Sequence, residues 1–193
     1  MSPIKAVTVF CGAQSGRLPD HLAAAEALGA GLAEAGIRLV YGGGRVGMMG
    51  RVADAALAAG GQVTGVIPDF LTRLEVAHSG ASEMIVTDSM HTRKRRMFDL
   101  ADAFITMPGG LGTLDETFEI LTWRQLGLHD KPILLCDIAG SARPLVATIE
   151  AAIAEGFARP EIRRLYEVVE GVPALLARLA SLSAGAAGAS ALL

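Results

Sequence analysis

The residues of this chain best suited to chemistry are an acid and an arginine, each carried on an apolar helical stripe near a glycine-rich turn. In "MPGGLGTLDE", Met107 to Glu116, three glycines and a threonine stand directly in front of two carboxylates. A glycine-rich turn between a strand and a helix offers backbone N–H groups and is an ordinary seat for an anion. Thr113 and Glu116 fit a capping box, with Thr113 capping the helix and Glu116 reaching back to its backbone. Glu116, Ile120 and Trp123 also recur at i, i+4 and i+7, so Glu116 heads an inward apolar stripe, whereas Asp115 and Glu119 share a more solvated face. In the first helical turn such a carboxylate is kept ionised by the helix dipole, by roughly 0.3–1 kcal/mol. An ionised acid beside a phosphate pocket suits a developing cation.

The basic segment "MHTRKRRM" shows the same duality. Met90, Arg93 and Met97 fall on one stripe, which carries Arg93 inward, whereas Arg95 and Asp99 form an i,i+4 pair that faces solvent. An arginine carried inward needs an anionic partner, either a carboxylate or a ligand phosphate. A second glycine loop, "GGGRVGMMG" (42–50), follows a strand and opens a helix, and Gly42, Gly44 and Gly47 satisfy GxGxxG. The dinucleotide form of that motif belongs after the first strand; here it follows the second, although Asp69 stands about where the ribose-binding acid would. Two loops of one kind predict helix N-termini converging on an anion, with Gly43, Gly44 and Gly47 in the phosphate loop beside Gly109, Gly110 and Gly112. No GK[ST] follows either loop, so a single phosphate is a more economical ligand than a nucleoside triphosphate.

Other chemistries find little support. His21, His78, His91 and His129 are scattered without HxxH or HExxH spacing, so no metal site is expected. There is no GxSxG, and neither Cys11 nor Cys136 has a recognisable base nearby in sequence. Both cysteines lie in apolar runs without CxxC spacing, which predicts buried, reduced thiols. The net charge of -3 argues against a nucleic-acid surface. No apolar run reaches the roughly 18 residues of a membrane span, and the N-terminus lacks a charged-then-apolar signal pattern, so a cytoplasmic protein with no membrane partner is expected.

The elements that must position these residues alternate almost from end to end. Strands are expected at 4–11, 37–41, 62–67, 83–88, 103–107, 132–137 and 166–170. Helices are expected at 20–36, 47–61, 89–102, 113–129, near 144–156 and from Pro173, with an irregular, polar connection over 68–82. This rhythm predicts an α/β fold of three layers, doubly wound, with a mainly parallel sheet and ligands at the carboxyl ends of its strands. At 193 residues the chain suits one domain, 1–183, followed by a small-residue tail, 184–193, expected to be frayed.

Taken together, "VYGGGRVGMMG", "DSMHTRKRRM", "PGGLGTLDE" and "TWRQLGLHDKP", with "CGAQSG" and "EVAHSG", resemble the LOG ("lonely guy") family of cytokinin riboside 5'-monophosphate phosphoribohydrolases, from about Val7 to Asp137. The resemblance implies a Rossmann-like homodimer that hydrolyses the N-glycosidic bond of a nucleoside 5'-monophosphate without a cofactor. By motif position it implies Arg93 and Glu116 as the catalytic pair. It places substrate contacts at Glu75, Met90, Lys94, Gly109, Gly110, Gly112 and Thr113. This sequence has Leu111 where the family often has an aromatic residue, and Asp115 where it often has Glu. The family has also carried the label lysine decarboxylase, which would require pyridoxal phosphate on a lysine; of Lys5, Lys94 and Lys131 only Lys94 is near the site elements. A second alternative is a non-catalytic carrier, since a related Rossmann-like group carries molybdenum cofactor, whose phosphate could occupy the same loops.

Overall fold

In the computed structural model, which describes residues 3–72 and 77–190, six helices flank one sheet. The strands are β1 (Ala6–Phe10), β2 (Arg38–Tyr41), β3 (Val63–Pro68), β4 (Glu83–Thr87), β5 (Ala103–Thr106), β6 (Ile133–Asp137) and β7 (Glu167–Glu170). The helices are α1 (Pro19–Glu34), α2 (Gly47–Ala58), α3 (Met90–Leu100), α4 (Leu111–Gln125), α5 (Arg143–Ala154) and α6 (Gly171–Ser190). All seven strands pair in parallel, in the order β4-β3-β2-β1-β5-β6-β7. The chain therefore winds outward from β1 in both directions, and the reversal falls between β1 and β5.

The continuous apolar runs make the central strands possible. β1, β3 and β5 are buried along their whole length, as a parallel sheet covered on both faces requires. One face packs Val7, Val9, Leu39 and Ile105 against Leu28 of α1, Val52 of α2 and Leu175 of α6. The other packs Phe10, Val40, Phe104 and Leu135 against Met97 of α3, Ile120 of α4 and Ile149 of α5. The three-layer doubly wound expectation is met, and no helix among the described residues is long and apolar enough to cross a membrane.

Boundaries differ from the periodicity where caps decide them. α4 begins at Leu111, capped by Gly110 without a side-chain hydrogen bond. Thr113 is therefore the third residue of the helix, and its carbonyl accepts from the Thr117 hydroxyl at 2.7 Å. The capping-box reading of Thr113 and Glu116 is overturned, because glycine lets the backbone enter the helix two residues early. Glu116 then sits beyond the first turn, where the helix dipole acts only weakly. α6 starts ahead of Pro173, and its helical span runs on to Ser190, into the tail expected to fray. Among the described residues of the irregular 68–82 connection there is one short helical turn, Asp69–Leu71.

Candidate active site

The sheet's reversal point opens into a cavity of about 540 Å³ at the carboxyl ends of β1 and β5, where doubly wound sheets bind ligands. The turn after β1 supplies Cys11, Gly12, Ala13, Gln14 and Gly16, and the turn after β5 supplies Pro108, Gly109 and Gly110. Arg93 reaches the cavity from α3, and Thr113 and Glu116 reach it from α4.

Arg93 is placed by its helix start. Ser89 caps α3, its hydroxyl accepting from the Thr92 amide at 3.2 Å. One turn later the Arg93 side chain points under the sheet edge, only 5% exposed. Its Nε donates to the Val66 carbonyl at 3.1 Å and its Nη2 to the Gly42 carbonyl at 3.0 Å. The guanidinium thus straddles the carboxyl ends of β2 and β3, with its Nη1 3.8 Å from the Met90 sulfur. Glu116 is 9% exposed on the stripe that the sequence predicts, with Ile120 buried one turn on. Burial first, and then the Glu116 charge, pushes the Cys11 thiol far above its ordinary range, so Cys11 is an inert wall rather than a nucleophile.

The two glycine loops part company here. Gly12 donates its amide to the Pro108 carbonyl at 3.0 Å, and its own carbonyl accepts from the amides of Met48 and Met49 at 3.0 and 3.2 Å. Those are first-turn donors of α2, so that N-terminus is spent on bracing the β1 turn. Gly47 makes the close approach possible: its φ is +61°, and a side chain there would collide with the Ala13 backbone. The Gly43 carbonyl accepts from the His78 amide at 3.0 Å, and Gly44 bridges to Ala77. Gly43, Gly44 and Gly47 do not line the cavity, whereas Gly109, Gly110, Gly112 and Thr113 do. At α4 the amides of Leu111, Gly112 and Thr113 have no i−4 acceptor within the helix and no side-chain cap. Of the two, this helix start is the uncapped one.

Of the remaining expected contacts, Met90 and Lys94 lie outside the cavity lining and Glu75 lies outside the described residues. Lys94 pairs with Asp115 at 3.1 Å and Glu119 at 3.2 Å, tying α3 to α4. Burial pulls its pKa down, but the hydrogen bonds and charges of those two carboxylates outweigh it and hold the ammonium above its ordinary value. A lysine so protonated is a poor Schiff-base former. Lys5 and Lys131 precede β1 and β6, at the opposite edge of the sheet.

Sequence reasoning did not single out Gly12, Gln14, Gly16, His21, Met48, Met49 or Ser141, all of which line the cavity. The one signal available was "CGAQSG", a glycine turn after the first strand.

Fold and cavity define a Rossmann-like α/β protein with a cavity at the reversal of a parallel sheet. The family model described as "Possible lysine decarboxylase" matches residues 49–179. The chain is 48% identical to a cytokinin riboside 5'-monophosphate phosphoribohydrolase of Rhodococcoides fascians, over 92% of this chain and 90% of that one. An Arabidopsis thaliana protein of the same name is 45% identical, over 85% and 76% of the two chains. Among solved structures, a molybdenum cofactor binding protein from Rippkaea orientalis shares the fold with a TM-score of 0.71 at 23% identity, covering 94% of this chain and 98% of that one. The chain belongs to the LOG family of cytokinin riboside 5'-monophosphate phosphoribohydrolases.

Proposed function

We propose that this protein hydrolyses the N-glycosidic bond of cytokinin riboside 5'-monophosphates, and of AMP, releasing the free base and ribose 5-phosphate. The observation that carries this reading is the convergence of buried Glu116, buried Arg93 and the uncapped N-terminus of α4 on one cavity. The amides of Leu111, Gly112 and Thr113 hold the 5'-phosphate, which fixes the ribose against Glu116. As the bond from C1' to the base nitrogen stretches, its electron pair leaves with the base and positive charge grows on the ribose. Glu116 stabilises that charge and takes a proton from the attacking water, whose oxygen closes on C1'. A guanidinium is a poor proton donor, so Arg93 acts by charge: it orients Glu116 and stabilises negative charge on the departing base, which takes up a proton from solvent.

The proposal includes a homodimer in the cytoplasm. Supporting a second copy, β4 is an edge strand with Val86 58% exposed, and Phe70, beyond β3 at the same end, is 57% exposed. Gel filtration with light scattering tests it. The carrier alternative rests on fold likeness at 23% identity, against 48% to a hydrolase relative. The deciding assay compares AMP with adenosine, and isopentenyladenosine monophosphate with its riboside, following free base by chromatography. Three charge-assisted bonds at roughly 1.5–3 kcal/mol each supply about 5 kcal/mol, so each monophosphate should exceed its riboside by more than about 10³ in kcat/KM. Equal rates would remove the phosphate seat, and no base from either monophosphate would favour the carrier. The ratio of kcat/KM between the two monophosphates reads the preference for the base substituent.

A further inference from the structure

Resting on the reading of the cavity as a nucleoside monophosphate site, we infer that His21 is a second clamp on the 5'-phosphate, facing the N-terminus of α4 and supplying the full positive charge that α4 lacks. A phosphate monoester carries about −1.5 to −2 charges near neutral pH, whereas a helix N-terminus offers the equivalent of only about +0.5. Among the described side chains that line the cavity, two can be cationic, Arg93 and His21. Arg93 already gives its Nε and Nη2 to the Val66 and Gly42 carbonyls and stands on the wall shared with Glu116. His21 is the remaining candidate.

Its placement suits the task. His21 is the third residue of α1, which packs on one face of the sheet, while α4 packs on the other, and His21 and the first turn of α4 both line the cavity. Gly16, with φ +72°, folds the turn after β1 back onto the imidazole, and a side chain at that glycine would collide with Nδ1. The Nδ1 side of the ring therefore faces Gly16, and Nε2 lies farther from it. No hydrogen bond ties the imidazole to another described residue. The charged and titratable groups around it are Glu116 from α4, Arg93 from α3 and Cys11 at the end of β1, all on the cavity wall, with Arg17 and Asp20 exposed beside it. Histidine is the side chain type whose charge can change between about pH 5 and 8, so a phosphate clamp built on one can be read by varying pH.

The test is calorimetric titration of ribose 5-phosphate and of adenosine into the wild-type protein and the His21→Gln variant, with steady-state kinetics on AMP alongside. At pH 6 the variant should bind ribose 5-phosphate about tenfold more weakly, with adenosine affinity within about twofold. KM for AMP should rise about tenfold while kcat falls by less than about threefold. At pH 8 the two proteins should converge to within about twofold; taking the ratio at each pH cancels the phosphate's own ionisation. A His21→Lys variant, cationic throughout, should keep its affinity at pH 8, and it tests the same point if the Gln variant folds poorly. Equal ribose 5-phosphate affinities of wild type and His21→Gln at pH 6 would overturn the inference. So would a kcat loss of 10² or more at unchanged KM, which would make His21 a proton donor to the base. If wild type binds ribose 5-phosphate through His21 yet releases no base from AMP, the clamp stands and the hydrolase reading falls.

Discussion

The loops 42–50 and 107–116 are built from the same ingredients, glycines between a parallel strand and a helix, and the fold uses them in opposite ways. The first is closed: two first-turn amides of α2 are bound by the Gly12 carbonyl, and Gly47 lies against the Ala13 backbone. The second is open: Gly110 caps α4 with no side-chain partner, and a side chain added at Gly110 or Gly112 would meet nothing within 4 Å. A glycine needed so that protein can approach protein is a stability element. A glycine with empty space in front of it leaves room for something that is not protein.

Substitutions can break that comparison. Gly47→Ala combines a left-handed backbone with overlap on Ala13, and should cost about 3 kcal/mol of stability, read from urea midpoints; a near-neutral result would show that the first loop is not a brace. Glu116→Gln should lower kcat by about 10² or more, about 2.7 kcal/mol, with KM within several-fold, since the lost interaction belongs to the transition state. Because Gln keeps the volume of Glu116 and can still accept a hydrogen bond, the melting temperature should hardly move, and a large drop would return Glu116 to a structural role.

Gly112→Ala should leave stability unchanged or raise it by about 0.5–1 kcal/mol, as alanine favours a helix, while raising KM for AMP about tenfold. An unchanged KM would mean that the phosphate does not approach this turn. The smallest effect concerns the far end of α4, where His129 donates from Nε2 to the Ile120 carbonyl at 2.9 Å and leaves Nδ1 buried without a hydrogen bond among the described residues. Burial lowers the His129 pKa, the Ile120 bond opposes this, and the Arg124 and Lys131 charges add to the lowering. The unfolded chain therefore takes up the proton first. The stability that neutral His129 gives is present above about pH 6.5 and is lost as pH falls from there towards the folded-state value. His129→Gln should flatten the dependence of the urea midpoint between pH 7.5 and 5.5; an unchanged slope would assign that dependence to other groups.

Much of this was legible along the chain. The alternation of buried runs with amphipathic segments gave all seven strands and six helices to within a few residues, because burial on both faces of a parallel sheet leaves an uninterrupted apolar signature. The inward direction of Arg93 and Glu116 was also legible, since a helical stripe is a local property. What misled was chemistry judged at short range. "GTLDE" has the spacing of a capping box, yet glycine at 110 starts the helix early, and the box is never assembled.

By itself the sequence determined the layers, the order of elements and the two side chains turned inward, all of which follow from periodicity within a dozen residues. The tertiary structure decided which turns meet. The reversal of strand order sets β5 beside β1, and this brings Gly12 onto Pro108 and His21 to the cavity of Glu116, although they are distant in sequence. That same contact decides the fate of the first loop, because whether an amide waits for a ligand or is bound by a carbonyl depends on the neighbouring strand's turn, and no local pattern encodes it.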